Sequence, residues 1–207
     1  MTLRRRDFLA CALGVAPFAG AFLGRSPAAW AEAYATGDMA LGSPDAPVTV
    51  IEYASMTCPH CAFFHEESFP DLKSRYIETG KVRFIYREFP LDEGALRASM
   101  LARCAGEKRF FAFIEVLFRE QDHWRRSRDP IAALAKLGRV GGIGKKQFEA
   151  CMSDQALGDS ILSTRLLGSQ KFDVTSTPTF IINGKKHPGA LSIDELARII
   201  DPLVGQD

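Results

Sequence analysis

The sequence predicts an α/β domain in which a mixed central sheet flanked by helices is interrupted by an inserted all-helical subdomain. Three observations carry that prediction. Compact β-branched segments at Val48–Tyr53, Val82–Tyr86 and Thr179–Ile182 place sheet near both ends of the chain. A helical stretch between the first two gives a strand, helix, strand order. From about Glu93 to Lys171 the composition turns to Ala, Leu, Phe, Lys and Arg, with apolar residues at helical spacing.

Each element has its own signal. The first helical stretch runs from Cys58 to about Glu78, and Pro70 inside it predicts a kink or a restart. Breaks at Asp129-Pro130, Gly141-Gly142 and Gly158 divide the helical insertion. Phe110–Phe118 is rich in aromatic residues and reads as a buried helix face, whereas Arg125-Arg126-Ser127-Arg128 reads as a solvated loop. Asn183-Gly184 after the third strand signals a hairpin. Ser192 caps a final helix, with Glu195 three residues on completing a capping box. The chain therefore divides into a leader (1–31), an N-terminal extension (32–44), a first part of the sheet domain (45–92), the helical insertion (93–171) and a second part (172–207).

The leader has the layout of a cleaved export signal. Arg4-Arg5-Arg6 precedes an apolar Ala/Gly-rich stretch from Phe8 to Gly24, and small residues end at Ala29-Trp30-Ala31. The apolar run is about 17 residues and is broken by Pro17, short for a membrane span needing roughly 20. Stable membrane insertion is not expected. Arg5-Arg6-Asp7-Phe8-Leu9 resembles the twin-arginine export motif, and a general secretory signal carries similar charge, so both routes stay open. Loss of residues 1–31 leaves 176 residues with a net charge near −2, enough for one domain with a substantial core. That balance gives no sign of a nucleic-acid partner. Cys11 leaves with the leader, and Cys58, Cys61, Cys104 and Cys151 remain. An even set in an exported protein is compatible with two disulfides.

The chemistry lies in Thr57-Cys58-Pro59-His60-Cys61, where the first strand ends and a helix begins. Pro59 suits the first helical position because its missing N–H would be unpaired there, which makes Cys58 the cap residue. The helix N-terminal amides, the helix dipole and the His60 imidazole all favour a Cys58 thiolate. Cys61, one turn further in, is shielded and acts as the resolving or leaving partner. A stabilised thiolate makes the disulfide easier to reduce and hence a stronger oxidant. Substrate thiolate would attack Cys58, form a mixed disulfide, and be displaced by a second substrate thiolate. No cofactor beyond this redox-active disulfide is expected, and no metal, because four-coordinate zinc needs two further ligands and no second Cys-x-x-Cys exists. Met56 is a candidate for apolar substrate contact. His65, one turn beyond Cys61, reads as a surface or packing residue within reach of the site; His123 and His187 lie in polar, loop-like contexts.

Cys-Pro-His-Cys after a strand, a helical insertion, and Thr177-Pro178-Thr179-Phe180 before a strand together resemble the DsbA-type periplasmic oxidases of the thioredoxin superfamily, over roughly residues 40 to 205. The resemblance implies a thioredoxin fold and a cis Pro178 facing the active-site disulfide, a geometry that an X-Pro bond adopts at about 0.5 to 1 kcal/mol. It also implies that Thr177 offers its backbone to substrate and that Glu52, six residues before Cys58, is the buried acid of a proton relay. The implied partners are folding exported proteins with free cysteines and a DsbB-like membrane reoxidant; the implied location is the periplasm, and a monomer is expected. Cys104 and Cys151 are similar to the second disulfide of alphaproteobacterial-type DsbA enzymes. Such a bridge would enclose 46 residues and stabilise by about 3 to 4 kcal/mol; the alternative is two buried apolar thiols. One departure is Thr177, where the best-known oxidases carry valine and disulfide isomerases also carry threonine. Against an isomerase, only about 15 residues separate Glu32 from the first strand, too few for the N-terminal dimerisation domain that isomerases share. Disulfide donation is the expected activity; the alternatives are a disulfide isomerase or reductase and a non-catalytic metal-handling thiol protein.

Overall fold

The computed structural model describes residues 37–205; the leader and Cys11 lie outside them. Five strands, β1 (Met39–Leu41), β2 (Val48–Ala54), β3 (Val82–Glu88), β4 (Thr179–Ile182) and β5 (Lys185–Pro188), form one sheet in the order β1-β3-β2-β4-β5. Only β2 and β3 run parallel, with Glu52 opposite Tyr86; the other pairs are antiparallel. Asn183 and Gly184, with φ of 43° and 84°, make the tight hairpin between β4 and β5.

Between β2 and β3 lie α1 (Pro59–Glu67), α2 (Phe69–Leu72) and a π-helical turn at Lys73–Ile77. The restart expected at Pro70 is present, because proline occupies the first turn of α2. The insertion comprises α3 (Glu93–Cys104), α4 (Glu107–Arg119), α5 (Gln121–Arg125), α6 (Pro130–Val140), α7 (Lys145–Ser153) and α8 (Gln155–Phe172), and α9 (Ile193–Val204) follows the sheet. Ser192 and Glu195 form the expected capping box on α9.

Every residue of β2 is buried, as a central strand covered on both faces requires. Alternation sends Val48, Val50 and Ala54 into a large core shared with α1, Phe84, Tyr86, Phe180 and the aromatic face of α4. Ile51, Tyr53, Ile85 and Ile181 face the other side, where Val174 and Phe89 complete a smaller core. There α8 crosses so close that a Cβ on Gly168 would lie 2.6 Å from the Tyr53 ring.

Four sequence expectations need correction. The extension at 32–44 contains β1, whose three residues are too short to show a period-two pattern; Arg87 pairs with Asp38 beside it at 2.7 Å. Gly158 is no break, because it lies inside α8, and the real boundary is Asp154, whose side chain caps that helix through Leu157 N–H. His123 and His187 sit on α5 and β5 rather than in loops. Arg125 belongs to α5, so the basic run begins on a helix.

Candidate active site

Strand β2 ends at Ala54 and delivers Cys58 to the cap position of α1, with φ −80°, ψ 119° and Pro59 at the helix start. Both active-site cysteines are free thiols, and their exposures differ in the expected sense: Cys58 is 7% exposed and Cys61 0%. Cys58 is lowered to about 5. The largest cause is a hydrogen bond from the Cys61 thiol, which outweighs burial; the amides of Cys61 and His60 add to it. The helix N-terminus therefore acts on the sulfur as expected, although no side-chain cap bond is completed. Cys61 is pushed well above its ordinary value, first by burial and then by the Cys58 sulfur and the Glu52 charge.

The His60 ring is exposed, and its backbone amide is among the groups that lower Cys58. Met56 is a plain correction. Its side chain is 0% exposed inside the large core and meets no solvent. Exposed apolar surface comes instead from Leu91, 48% exposed, whose amide donates to Ser55 Oγ at 3.3 Å.

The Thr177–Pro178 peptide is cis, and the Thr177 carbonyl oxygen accepts from Cys58 Sγ at 3.2 Å. This bond is open only to the thiol, and the contacts favouring thiolate outweigh it. The chain thus brings together Cys58, Cys61, Thr177 and Pro178 from segments more than a hundred residues apart, and Glu52 lies beneath them, 0% exposed. His65 is not on the helix surface. It is buried, and its Nε2 lies 2.8 Å from Glu52 Oε2.

Two supports of the Cys58 loop had no sequence signal or a weak one. Gln121, at the start of α5, donates to the carbonyl oxygens of Met56 and Cys58 at 2.8 and 3.0 Å. Nothing in the sequence marks a glutamine whose partners are backbone groups some 63 residues away. Thr57 Oγ1 donates to Asp92 Oδ2 at 2.7 Å, while Asp92 Oδ1 caps α3 through Ala95 N–H; an aspartate immediately before Glu93 is a legible cap.

Comparison with known proteins decides what this arrangement belongs to. A family described as Thioredoxin matches residues 34–202. The crystal structure of alpha-DsbA1 from Wolbachia pipientis superposes with a TM-score of 0.78 at 32% identity, covering 87% of this chain and 96% of that one. The chain belongs to the DsbA-like thioredoxin family.

A Rickettsia bellii protein, provisionally named a protein-disulfide oxidoreductase, is 34% identical over 168 residues, which are 81% of this chain and 64% of that protein. The chain thus spans under two thirds of that relative's length. Disulfide bond formation protein D of Bacillus subtilis is 26% identical over 173 residues, 80% of this chain and 76% of that protein. As in the DsbA-like fold expected from sequence, the thioredoxin sheet carries an all-helical insertion. Within that insertion Cys104, the last residue of α3, is bonded to Cys151 on α7, with Cα atoms 6.2 Å apart. Among the described residues no group of three or more His, Cys, Asp or Glu side chains is gathered to hold a metal.

Proposed function

We propose that this chain is a thiol–disulfide oxidoreductase that donates a Cys58–Cys61 disulfide to folding exported proteins. The observation that carries the reading is the opposition within the pair: Cys58 is held down to about 5, whereas Cys61 is fully buried and pushed up. A thiolate so stable is a good leaving group and a poor holder of a disulfide, so the oxidised pair readily gives its bond away.

Substrate thiolate attacks Cys58 Sγ, and Cys61 leaves and takes up a proton from Glu52. A second substrate thiolate attacks the substrate sulfur of the mixed disulfide and expels Cys58 as thiolate. The substrate gains the disulfide, and the enzyme is left as dithiol. Pro59 starts the helix that stabilises Cys58, and the His60 amide contributes to that field. Thr177 and Pro178 form the wall against which the substrate backbone lies, the Thr177 carbonyl oxygen already standing beside Cys58. The redox-active disulfide is the only prosthetic element in this scheme.

The reading places the chain in the periplasm, working as a monomer and reoxidised by a DsbB-like membrane protein. No helix among the described residues is long and apolar enough to cross a membrane. The test is a thiol count after mixing oxidised protein with a reduced, unfolded, cysteine-containing protein. The expected result is two substrate thiols lost for each enzyme reduced, and none lost with Cys58→Ser. Undiminished oxidation by Cys58→Ser would overturn the proposal.

A further inference from the structure

A cleft of about 470 Å³ opens between α1, the π-helical turn and α4. Neither active-site cysteine lines it, nor do Thr177 and Pro178, so it is a second opening, separate from the substrate face. His65 lines its floor, and Glu66, Lys73, Glu78, Glu115 and Arg119 supply the charges around it. The His65 and Glu52 side chains are 2% and 0% exposed, and they meet at 2.8 Å. His65 Nδ1 and Glu52 Oε1 are both buried without a hydrogen-bond partner. The imidazole is fixed by stacking on Phe118, with ring centres 4.5 Å apart, and by Phe69 at 4.8 Å.

This leaves Glu52 with one oxygen engaged by His65 and one free, in a place where its charge acts directly on Cys61. Cys61 has no contact with solvent of its own. A proton it gives to Glu52 cancels the carboxylate charge, and the buried pair keeps its charge balance only if a proton also crosses at the cleft. Histidine is the side chain suited to that transfer near neutral pH. We propose that His65 is a positioning residue that offsets each proton passed between Cys61 and Glu52 by exchanging its own Nδ1 proton with water in this rear cleft. The proposal rests on the reading above that Glu52 exchanges a proton with Cys61.

The proton count balances in each direction. When Cys61 attacks a mixed disulfide on Cys58, its S–H proton passes to Glu52 Oε1, a Cys58–Cys61 bond forms, and the outgoing thiolate takes a proton from solvent. With Glu52 neutral, the His65 imidazolium has lost its buried counter-charge and releases its Nδ1 proton to the cleft. In disulfide donation the Cys61 thiolate takes the proton back from Glu52, and Nδ1 is reprotonated from the cleft. The buried pair stays close to neutral throughout, which is what the expense of an unpaired buried charge demands. The other groups facing this pair are the Tyr86 hydroxyl on β3, itself without a partner, and Cys61 on α1.

The experiment follows resolution of a glutathione mixed disulfide preformed on Cys58, read as glutathione release in a single turnover across pH. His65→Gln keeps a donor for Glu52 but cannot titrate, and it should slow resolution roughly tenfold or more at neutral pH. His65→Ala leaves room for added imidazole, which should restore the rate in proportion to its free base, and should not do so when Glu52→Gln is also present. An exposed substitution, Arg119→Glu, adds negative charge at the cleft and should move the pH profile to higher pH without disturbing the core. A parent-like profile in Arg119→Glu, or an undiminished rate in His65→Gln, would overturn the relay. Glutathione stands in for any protein substrate, so failure of disulfide donation with these effects intact would sink the proposed function and leave the relay standing.

Discussion

Gln121 Nε2 donates to the Cys58 carbonyl oxygen at 3.0 Å, tying the first helical turn of the active site to a side chain from the helical insertion. Its second donor reaches the Met56 carbonyl oxygen at 2.8 Å, and Gln121 itself is 4% exposed. Gln121→Leu should take the side-chain donor from the buried Met56 carbonyl oxygen, while the Cys58 carbonyl keeps the Cys61 and Ala62 amides, and cost about 1 to 3 kcal/mol. Urea denaturation of the reduced protein measures it, and an unchanged midpoint would mean that the loop holds its shape without the clamp.

The Cys58 value of about 5 fixes how the redox couple responds to pH. Between pH 5 and the much higher titration of Cys61, two electrons travel with one proton, and below pH 5 with two. The reduction potential should therefore change by about 30 mV per pH unit above pH 5 and about 60 mV below it. The sign for stability follows from a depressed thiol: the reduced folded protein carries the extra stability above the ordinary thiol range and loses it as pH falls through about 5. Thiolate absorbance at 240 nm, titrated on the reduced protein, checks the midpoint.

Glu52 raises Cys61 through its charge, behind burial and the Cys58 sulfur. In a Cys58→Ala background, which removes the competing sulfur, Glu52→Gln should lower the Cys61 titration. Thiolate absorbance of the two variants measures the difference. No shift would mean that the carboxyl group is neutral whenever Cys61 titrates.

The Cys104–Cys151 disulfide joins α3 to α7 across 47 residues of sequence. Replacing both with alanine should lower stability by about 3 to 4 kcal/mol in the chain-entropy account, seen as a lower urea midpoint. Neither residue touches the Cys58 environment, so the Cys58 titration should stay near 5. A moved titration would mean that the insertion transmits strain to the active site.

Residues whose chemistry is local were legible in the sequence. Pro59 after Cys58 announced a helix cap, Asn183-Gly184 a hairpin, and Ser192 with Glu195 a capping box, because each motif acts within four residues. The strands, the insertion and the resemblance that pointed to Pro178 and Glu52 came from patterns of the same kind. What escaped depended on distant partners. For His65 the sequence left surface and packing both open, since the choice depends on Phe118 and Tyr86 from α4 and β3. Met56 looked available to substrate because it adjoins the active cysteine in sequence, yet the chain turns its side chain into the core. Gln121 gave no signal, because its partners are main-chain carbonyls that any sequence would supply.

The central claim is that the oxidised pair is poised to give its disulfide away, and the most direct measurement is the reduction potential of the Cys58–Cys61 pair against glutathione at pH 7. A value toward the oxidising end of the family scale, nearer about −120 mV than −270 mV, is the predicted result. A value near −270 mV would mean that the cysteines hold their disulfide, and would contradict disulfide donation in favour of a reductase.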